Sequence, residues 1–83
     1  MTVSELIDYM LCGREIEFAF DSSRFFLAPL FLDGEFSGKY YIYDEEHKKS
    51  IFVGKLEDIL LFEFAQSITL GKRIDRFKLM FVL

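Results

Sequence analysis

The sequence contains one cysteine, one histidine, one proline and no tryptophan. With Cys12 alone, neither an intramolecular disulfide nor a cysteine-based metal site can form. The first residues include acids rather than a basic segment, and no long apolar run follows them. This pattern predicts neither secretion nor a membrane-spanning segment. We therefore expect a cytoplasmic location, with no membrane among the partners.

Residues that could carry chemistry are also sparse. The five glycines are scattered, so the sequence has no glycine-rich phosphate loop. Only the segment Asp44-Glu45-Glu46-His47 places carboxylates beside the histidine, as a divalent-metal or acid–base site would require. A flexible, charged loop lacks the fixed geometry of such a site, and we interpret this one as a solvated turn. The sequence predicts no enzyme activity, no metal and no cofactor.

Apolar residues, in contrast, are abundant. Of the 83 residues, 52% are hydrophobic and eleven are phenylalanine. A chain of this length forms one domain, residues 1–83, and buries only about 60% of the surface that its unfolded chain exposes. The excess predicts an apolar patch on the outside, which is typical of a contact with a partner or with a second copy. The alternative is an unusually aromatic core and no patch.

The charge of the chain is acidic and unevenly distributed. A formal charge of −4 argues mildly against nucleic-acid binding, which favours basic surfaces. Residues 1–46 carry ten acids and three bases, a net charge of −7, whereas residues 47–83 carry seven bases and four acids, a net charge of +3. Such asymmetry suits head-to-tail self-association or a polar partner, unless folding mixes the two halves in space.

Helix signals occur at the start of the chain. Thr2 and Glu5 fit a capping box, apolar residues recur at helical spacing from Val3, and Gly13 occupies the position of a C-terminal cap. These signals predict a helix from about Val3 to Cys12. We expect Cys12 to be a small buried side chain, since nothing near it would activate the thiol.

The segment from Glu15 to Leu32 predicts two strands that meet at residues 21–24. A two- or four-residue loop would pair Phe20 with Phe25 and place one apolar face on the core. The residues expected on that face are Ile16, Phe18, Phe20, Phe25, Leu27 and Phe31. A second apolar row would then face away, namely Phe26, Ala28, Leu30 and Leu32. A three-residue loop would exchange the two rows of the second strand, and Pro29 marks an edge, a bulge or the strand's end.

The later elements follow from turn residues and periodicity. In order, they are a loop at 33–38, a strand at 39–43, a turn at 44–50, a strand at 51–53, a helix at 56–61, a short helix capped by Ser67 or Thr69, and a closing strand from Phe77. Residues 62–66 fit either a strand or a continued helix. The predicted fold class is α+β, a small, mostly antiparallel sheet of four or five strands with two or three helices, in the order α-β-β-β-β-α-(α)-β.

Four segments carry a resemblance to other proteins. Residues 13–18 (Gly-Arg-Glu-Ile-Glu-Phe), 39–45, 56–60 and 68–70 resemble small uncharacterised α+β proteins of bacterial genomes and prophages. The second strand is more apolar than that group's pattern. The resemblance implies a cytoplasmic accessory protein without an assigned activity, and it carries over no functional residues.

We therefore predict a non-enzymatic protein-interaction or accessory domain that self-associates, as a homodimer, through an apolar and aromatic sheet surface. The candidate surface residues are Phe26, Leu30, Leu32, Phe36, Tyr41 and Tyr43. The alternative is a small nucleic-acid-binding protein, in which the tyrosine-rich strand stacks on bases and basic residues contact phosphates. The candidate phosphate contacts are Lys72, Arg73, Arg76 and Lys78.

Overall fold

The computed structural model describes all 83 residues. It contains two α-helices, α1 (Val3–Leu11) and α2 (Leu56–Leu61), and a 3-10 helix at Ile74–Arg76. The strands are β1 (Ile16–Phe20), β2 (Ser23–Leu32), β3 (Glu35–Asp44), β4 (Lys49–Gly54), β5 (Glu63–Ala65), β6 (Ile68–Thr69) and β7 (Phe77–Val82). Five strands form an antiparallel sheet in the order β4-β3-β2-β1-β7, and β5 and β6 form a separate hairpin. The α+β class predicted from sequence is confirmed.

The covered side of the sheet holds the core. Phe18 is fully buried at its centre, with its ring 5.8 Å from that of Phe25 and 5.7 Å from that of Phe77. Phe64 of the β5–β6 hairpin packs edge-on against Phe18, with 5.6 Å between the ring centroids. Both helices and the hairpin contribute to this cluster, whose buried members are Leu6, Met10, Ile16, Phe18, Phe20, Phe25, Leu27, Tyr40, Ile42, Ile59, Leu70 and Phe77. All of the covering elements therefore lie on one side of the sheet.

Helix α1 begins as its sequence predicts. The Thr2 hydroxyl accepts a hydrogen bond from the Glu5 amide, and the Glu5 carboxylate accepts one from the Thr2 amide. Leu6 and Met10 are buried, and the Tyr40 hydroxyl donates a buried hydrogen bond of 3.0 Å to the Met10 carbonyl. The expected burial of Cys12 is wrong, because this residue caps the helix end outside its apolar stripe and is exposed.

The β1–β2 hairpin has a two-residue loop, one of the two predicted lengths, but its pairing differs from the prediction. Its loop is Asp21-Ser22, so that Phe20 lies opposite Ser23 and Phe18 opposite Phe25, rather than Phe20 opposite Phe25. The shift is two residues, and because side chains alternate with a period of two, the face of every residue is unchanged. Phe25 and Leu27 are buried on the core side as predicted, whereas Phe31, predicted on the same face, is 57% exposed near the end of the strand.

Strand β2 lies in the middle of the sheet, and Pro29 coincides with an irregularity in its pairing with β3. Pro29 pairs with Tyr40 and Phe31 with Phe36, so Leu30 alone faces three residues of β3. This is the bulge that a proline without an N–H group favours. The predicted loop at 33–38 is wrong: only Asp33 and Gly34 form the turn, with φ of 53° and 80°, and β3 begins at Glu35. Positive φ at both positions is typical of a two-residue hairpin turn.

The chain after α2 departs from the prediction at one element. Residues 63–65 are a strand, which settles the choice left open for 62–66. The short helix expected after Ser67 or Thr69 is wrong, since β6 and a 3-10 helix replace it. Gly71 donates a hydrogen bond of 3.0 Å to the Leu60 carbonyl at the end of α2. This tertiary contact holds the backbone in a turn where local periodicity predicts a helix.

Replacing Phe18 with alanine tests the central position of its ring. We expect Phe18→Ala to lower the free energy of unfolding by about 3–5 kcal/mol, because the substitution leaves a cavity in a packed core. The matched control is Phe36→Ala, since Phe36 is 48% exposed and should cost about 1 kcal/mol or less. Urea denaturation followed by circular dichroism measures both. Equal losses in the two variants would contradict this account of the core.

Candidate interaction surface

The opposite side of the sheet is not covered by any helix or hairpin of the chain. It is named here the open face, and its residues are Glu15, Glu17, Arg24, Phe26, Ala28, Leu30, Tyr41, Tyr43, Val53, Lys78 and Phe81. Their common face follows from the register, in which directly opposite residues share a side. Phe26 lies opposite Tyr43 and Ala28 opposite Tyr41, while Phe26 lies opposite Glu17 on its other flank. The open face is thus continuous across the five strands.

A groove lies at the middle of the open face. Its volume is about 260 Å³, and its walls are Glu15, Phe26, Ala28, Tyr41 and Tyr43. Ala28 has only a methyl group between these larger side chains, and it is 3% exposed although no helix or hairpin covers it. A second groove of about 480 Å³ shares Glu15 and Tyr41 and extends to Leu30 and Val53. The surface is therefore indented and mainly apolar rather than flat and polar.

Charged groups lie on one half of the open face. The Arg24 guanidinium is 3.5 Å from the Glu17 carboxylate. Glu15 borders both grooves. Lys78, in the outer strand β7, lies opposite Ala19 of β1. The open face therefore has an apolar region around the tyrosines of β3. The ionic groups Glu17, Arg24 and Lys78 lie to one side of this region.

The structure brings together four of the six residues predicted for the interaction surface. Phe26, Leu30, Tyr41 and Tyr43 line the two grooves. Leu32 is 59% exposed and lies opposite Glu35, in the part of the β2–β3 ribbon that extends beyond its neighbours.

Phe36 lies on the other side of the sheet from these residues. Its ring is 5.4 Å from that of buried Tyr40 and 6.1 Å from that of Phe31. With α1 residues such as Met10, these rings border a groove of about 220 Å³ on the covered side. The sequence predicts Phe36 in a loop, for which alternation assigns no side of the sheet. Phe36 lies in β3 instead, and its position in that strand sets its side.

Two further apolar residues belong to the open face and were not predicted. Val53 is 47% exposed and Phe81 is 54% exposed. Alternation could have assigned a side to Val53, but the bulge at Met80 interrupts alternation before Phe81. The neighbours of β4 and β7 in the sheet are set by the tertiary fold. Without that order, neither residue could be joined to the row on β2.

Two bases of the nucleic-acid alternative are paired with carboxylates, and a third is distant from the tyrosine strand. Arg73 forms a bidentate ion pair with Asp75, in which the guanidinium donates hydrogen bonds of 3.1 and 3.0 Å to the two carboxylate oxygens. This pairing lowers the pKa of the Asp75 carboxyl. Arg76 lies 3.4 Å from the Asp21 carboxylate and 5.5 Å above the Phe20 ring. Lys78 is three strands away from Tyr43, roughly 14 Å, and β1 with its Glu17 carboxylate lies between them.

The segment at 44–47 forms a hydrogen-bonded turn. The Asp44 carboxylate accepts hydrogen bonds from the amides of Glu46 and His47, and it lies 2.8 Å from the His47 ring. The bond to the His47 ring is the main cause that lowers the pKa of the Asp44 carboxyl, and the amide bonds add to it. No three His, Cys, Asp or Glu side chains converge in a way that could hold a metal ion. Neither helix is long and apolar enough to cross a membrane.

Comparisons with known proteins assign no family to this geometry. No family model matches the chain, and no curated protein or solved structure is significantly similar to it. The resemblance to small bacterial and prophage proteins stays a prediction, and the function has to be argued from the open face itself.

The turn at Asp44 yields a prediction about pH. The pKa of the Asp44 carboxyl is lower in the folded chain than in the unfolded one. The ionised carboxylate therefore stabilises the fold above about pH 4. This stabilisation is lost as the pH falls through the lowered pKa of the folded chain. We expect Asp44→Asn to be less stable than the natural chain at pH 7, with the difference shrinking at pH 3. Chemical denaturation at pH 7, 5 and 3 measures it.

Asp8→Asn is the matched control for this experiment. The Asp8 side chain is exposed, and its carboxylate makes no hydrogen bond or ion pair. The stability of the Asp8→Asn variant should equal that of the natural chain at pH 7, 5 and 3. A stability difference for Asp44→Asn that stays constant between pH 7 and pH 3 would show that the ionised carboxylate is not the stabilising group.

Proposed function

We propose that this chain is a non-enzymatic protein-interaction domain that self-associates by packing its open face against that of a second copy. One observation carries the proposal: Phe26, Leu30, Tyr41 and Tyr43 lie on a side of the sheet that no helix or hairpin of the chain covers. A sheet with apolar side chains on both faces is typical of a layer packed on both sides. This chain supplies only one of those layers.

The size of the open face supports a second copy as the missing layer. Five strands at about 4.8 Å spacing and strand lengths of five to ten residues, at about 3.3 Å per residue, give a planar area of roughly 400–800 Å². A standard interface buries roughly 600–1,000 Å² on each partner. Two sheets pack face to face about 10 Å apart, with interdigitating side chains. The groove at Ala28 leaves room for a side chain from the partner sheet.

The charges of the open face are compatible with a two-fold contact. In such a contact, residue i of one copy meets residue j of the other, and j meets i. The face carries both acids, Glu15 and Glu17, and bases, Arg24 and Lys78. A second copy can therefore offer acids to bases and bases to acids, which a partner of uniform charge could not do.

The exposed thiol of Cys12 supports a cytoplasmic location for this function. A free, exposed thiol persists in a reducing compartment and is prone to oxidation outside one. The sequence offers no second cysteine with which it could pair inside the chain.

The proposal predicts that charge on the open face weakens assembly. We expect Phe26→Glu and Leu30→Glu each to weaken association at least about tenfold, or about 1.4 kcal/mol, because each would bury an unpaired carboxylate. Sedimentation velocity over a concentration series measures the average mass, and circular dichroism checks the fold. The matched control is Phe36→Glu, an exposed phenylalanine on the covered side.

Three results would contradict the proposal. The natural chain could stay monomeric at high concentration, or the open-face variants could assemble as well as the control. Unfolding of both variants would show that Phe26 and Leu30 stabilise the monomer itself. Salt-dependent binding to single- or double-stranded probes at low salt would instead indicate the nucleic-acid function.

A further inference from the structure

The outer edge of β7 has no neighbouring strand. The sheet ends at β7 on one side and at β4 on the other, so each of these strands has one row of backbone N–H and C=O groups without a strand partner. Such a row is a template for another strand, and proteins commonly protect it with charge, proline or a bulge. Because these unpaired groups are backbone N–H and C=O groups, the partner that fits the edge is another β-strand.

The two edges differ in their protection. Strand β4 begins at Lys49, and Lys48 and Lys55 flank it, so lysines mark both ends of that edge. Strand β7 has one lysine, Lys78, and no acid or proline. Three of the last four residues of the chain are apolar and well exposed, namely Met80 at 38%, Phe81 at 54% and Leu83 at 56%. Both edge strands carry a bulge, and Arg76 directly precedes β7, so the β7 edge is distinguished by its exposed apolar side chains.

A bulge in β7 sets which of its side chains share a face. Phe18 lies opposite Leu79 and Glu17 opposite Phe81, so Met80 is the additional residue. Lys78 lies opposite Ala19. Because of the extra residue, Lys78 and Phe81 are both on the open face although three positions separate them. An antiparallel copy of β7 can then place its Lys78 opposite Phe81 with each side chain on the correct face.

We propose that β7 pairs with β7 of a second copy in antiparallel orientation. In this pairing, Lys78 of each copy lies over Phe81 of the other copy and faces the Glu17 of that same copy. This contact pairs backbones at the sheet edge, whereas the open-face contact packs one sheet on another, although the side chains of Glu17 and Lys78 belong to the open face. It joins two five-stranded sheets into one of ten strands. The two open faces then lie on the same side and form one continuous surface.

Charge complementarity favours a second copy as the occupant. Antiparallel pairing puts the start of one β7, with Lys78, beside the end of the other, where Glu17 is the cross-strand neighbour of Phe81. The backbone of the partner strand and that of β1 are then two strand spacings apart, about 10 Å. Extended lysine and glutamate side chains reach across this distance. A lysine above an aromatic ring also gains a cation–π attraction.

A charge exchange tests this contact. In the Leu30→Glu background, which weakens the open-face contact and leaves the cross-strand neighbours of Glu17 unchanged, we expect Lys78→Glu and Glu17→Lys each to weaken dimerisation at least about tenfold. The double variant Lys78→Glu with Glu17→Lys should recover to within about threefold, since it restores opposite charges across the edge. Sedimentation velocity gives the dissociation constants. Lys72→Glu, an exposed base outside β7, is the matched control and should have no effect.

Disulfide trapping tests the register without depending on charge. In a Cys12→Ser background, Lys78→Cys and Phe81→Cys chains are mixed and oxidised. Directly opposite residues have Cβ atoms about 4.5–5.5 Å apart, close to the separation that a disulfide bridges. We expect a disulfide-linked dimer of the two variants, formed faster than between two Phe81→Cys chains.

The outcomes separate the two proposed contacts. If Leu30→Glu chains still dimerise and the charge exchange rescues, the edge contact holds whatever the fate of the open-face proposal. If all charge variants dimerise equally, or if the mixed disulfide forms no faster than the self-linked one, the β7 pairing is wrong. A monomeric Leu30→Glu chain with a dimeric natural chain would overturn the edge contact and leave the open-face contact in place.

Discussion

A five-stranded sheet has two faces, and this chain has helices and a hairpin to cover only one of them. The covered face is closed by a cluster of phenylalanine rings around Phe18, in edge-on and stacked contacts of 5.6–5.8 Å. Because β5 and β6 add Phe64 to that cluster, the hairpin is committed to the covered side. Neither helix and neither strand of the hairpin covers the other side, on which Phe26, Leu30 and the two tyrosines are half-buried by one another and by their neighbours.

The open face is arranged so that the monomer can tolerate it in water. Ala28 is buried by its larger neighbours, and the two tyrosines combine an apolar ring with a hydroxyl that water can solvate. Glu17 and Arg24 interact at 3.5 Å on the charged half. The proposed self-association would bury the apolar part of this surface and leave the ionic groups at its side.

Much of the fold could be predicted from local sequence signals. The capping box at Thr2 and Glu5, the alternation of β1 and the aromatic β3 strand depend on residues within a few positions of each other, and all three were found. The short helix after Ser67 was not, because a long-range hydrogen bond from Gly71 to Leu60 overrides the local pattern. Cys12 was misplaced for a related reason: burial depends on what packs around a helix end, not on the residue type.

The sequence by itself determined that β2 has two apolar rows, because the period of two along a strand assigns every side chain to a face. It therefore identified Phe26, Leu30, Tyr41 and Tyr43 as candidates. Only the tertiary structure decided which row is covered, that Phe36 lies on the other side, and that Val53 and Phe81 extend the surface. The physical reason is that strand order and the placement of covering elements depend on contacts between distant segments, which local periodicity does not contain.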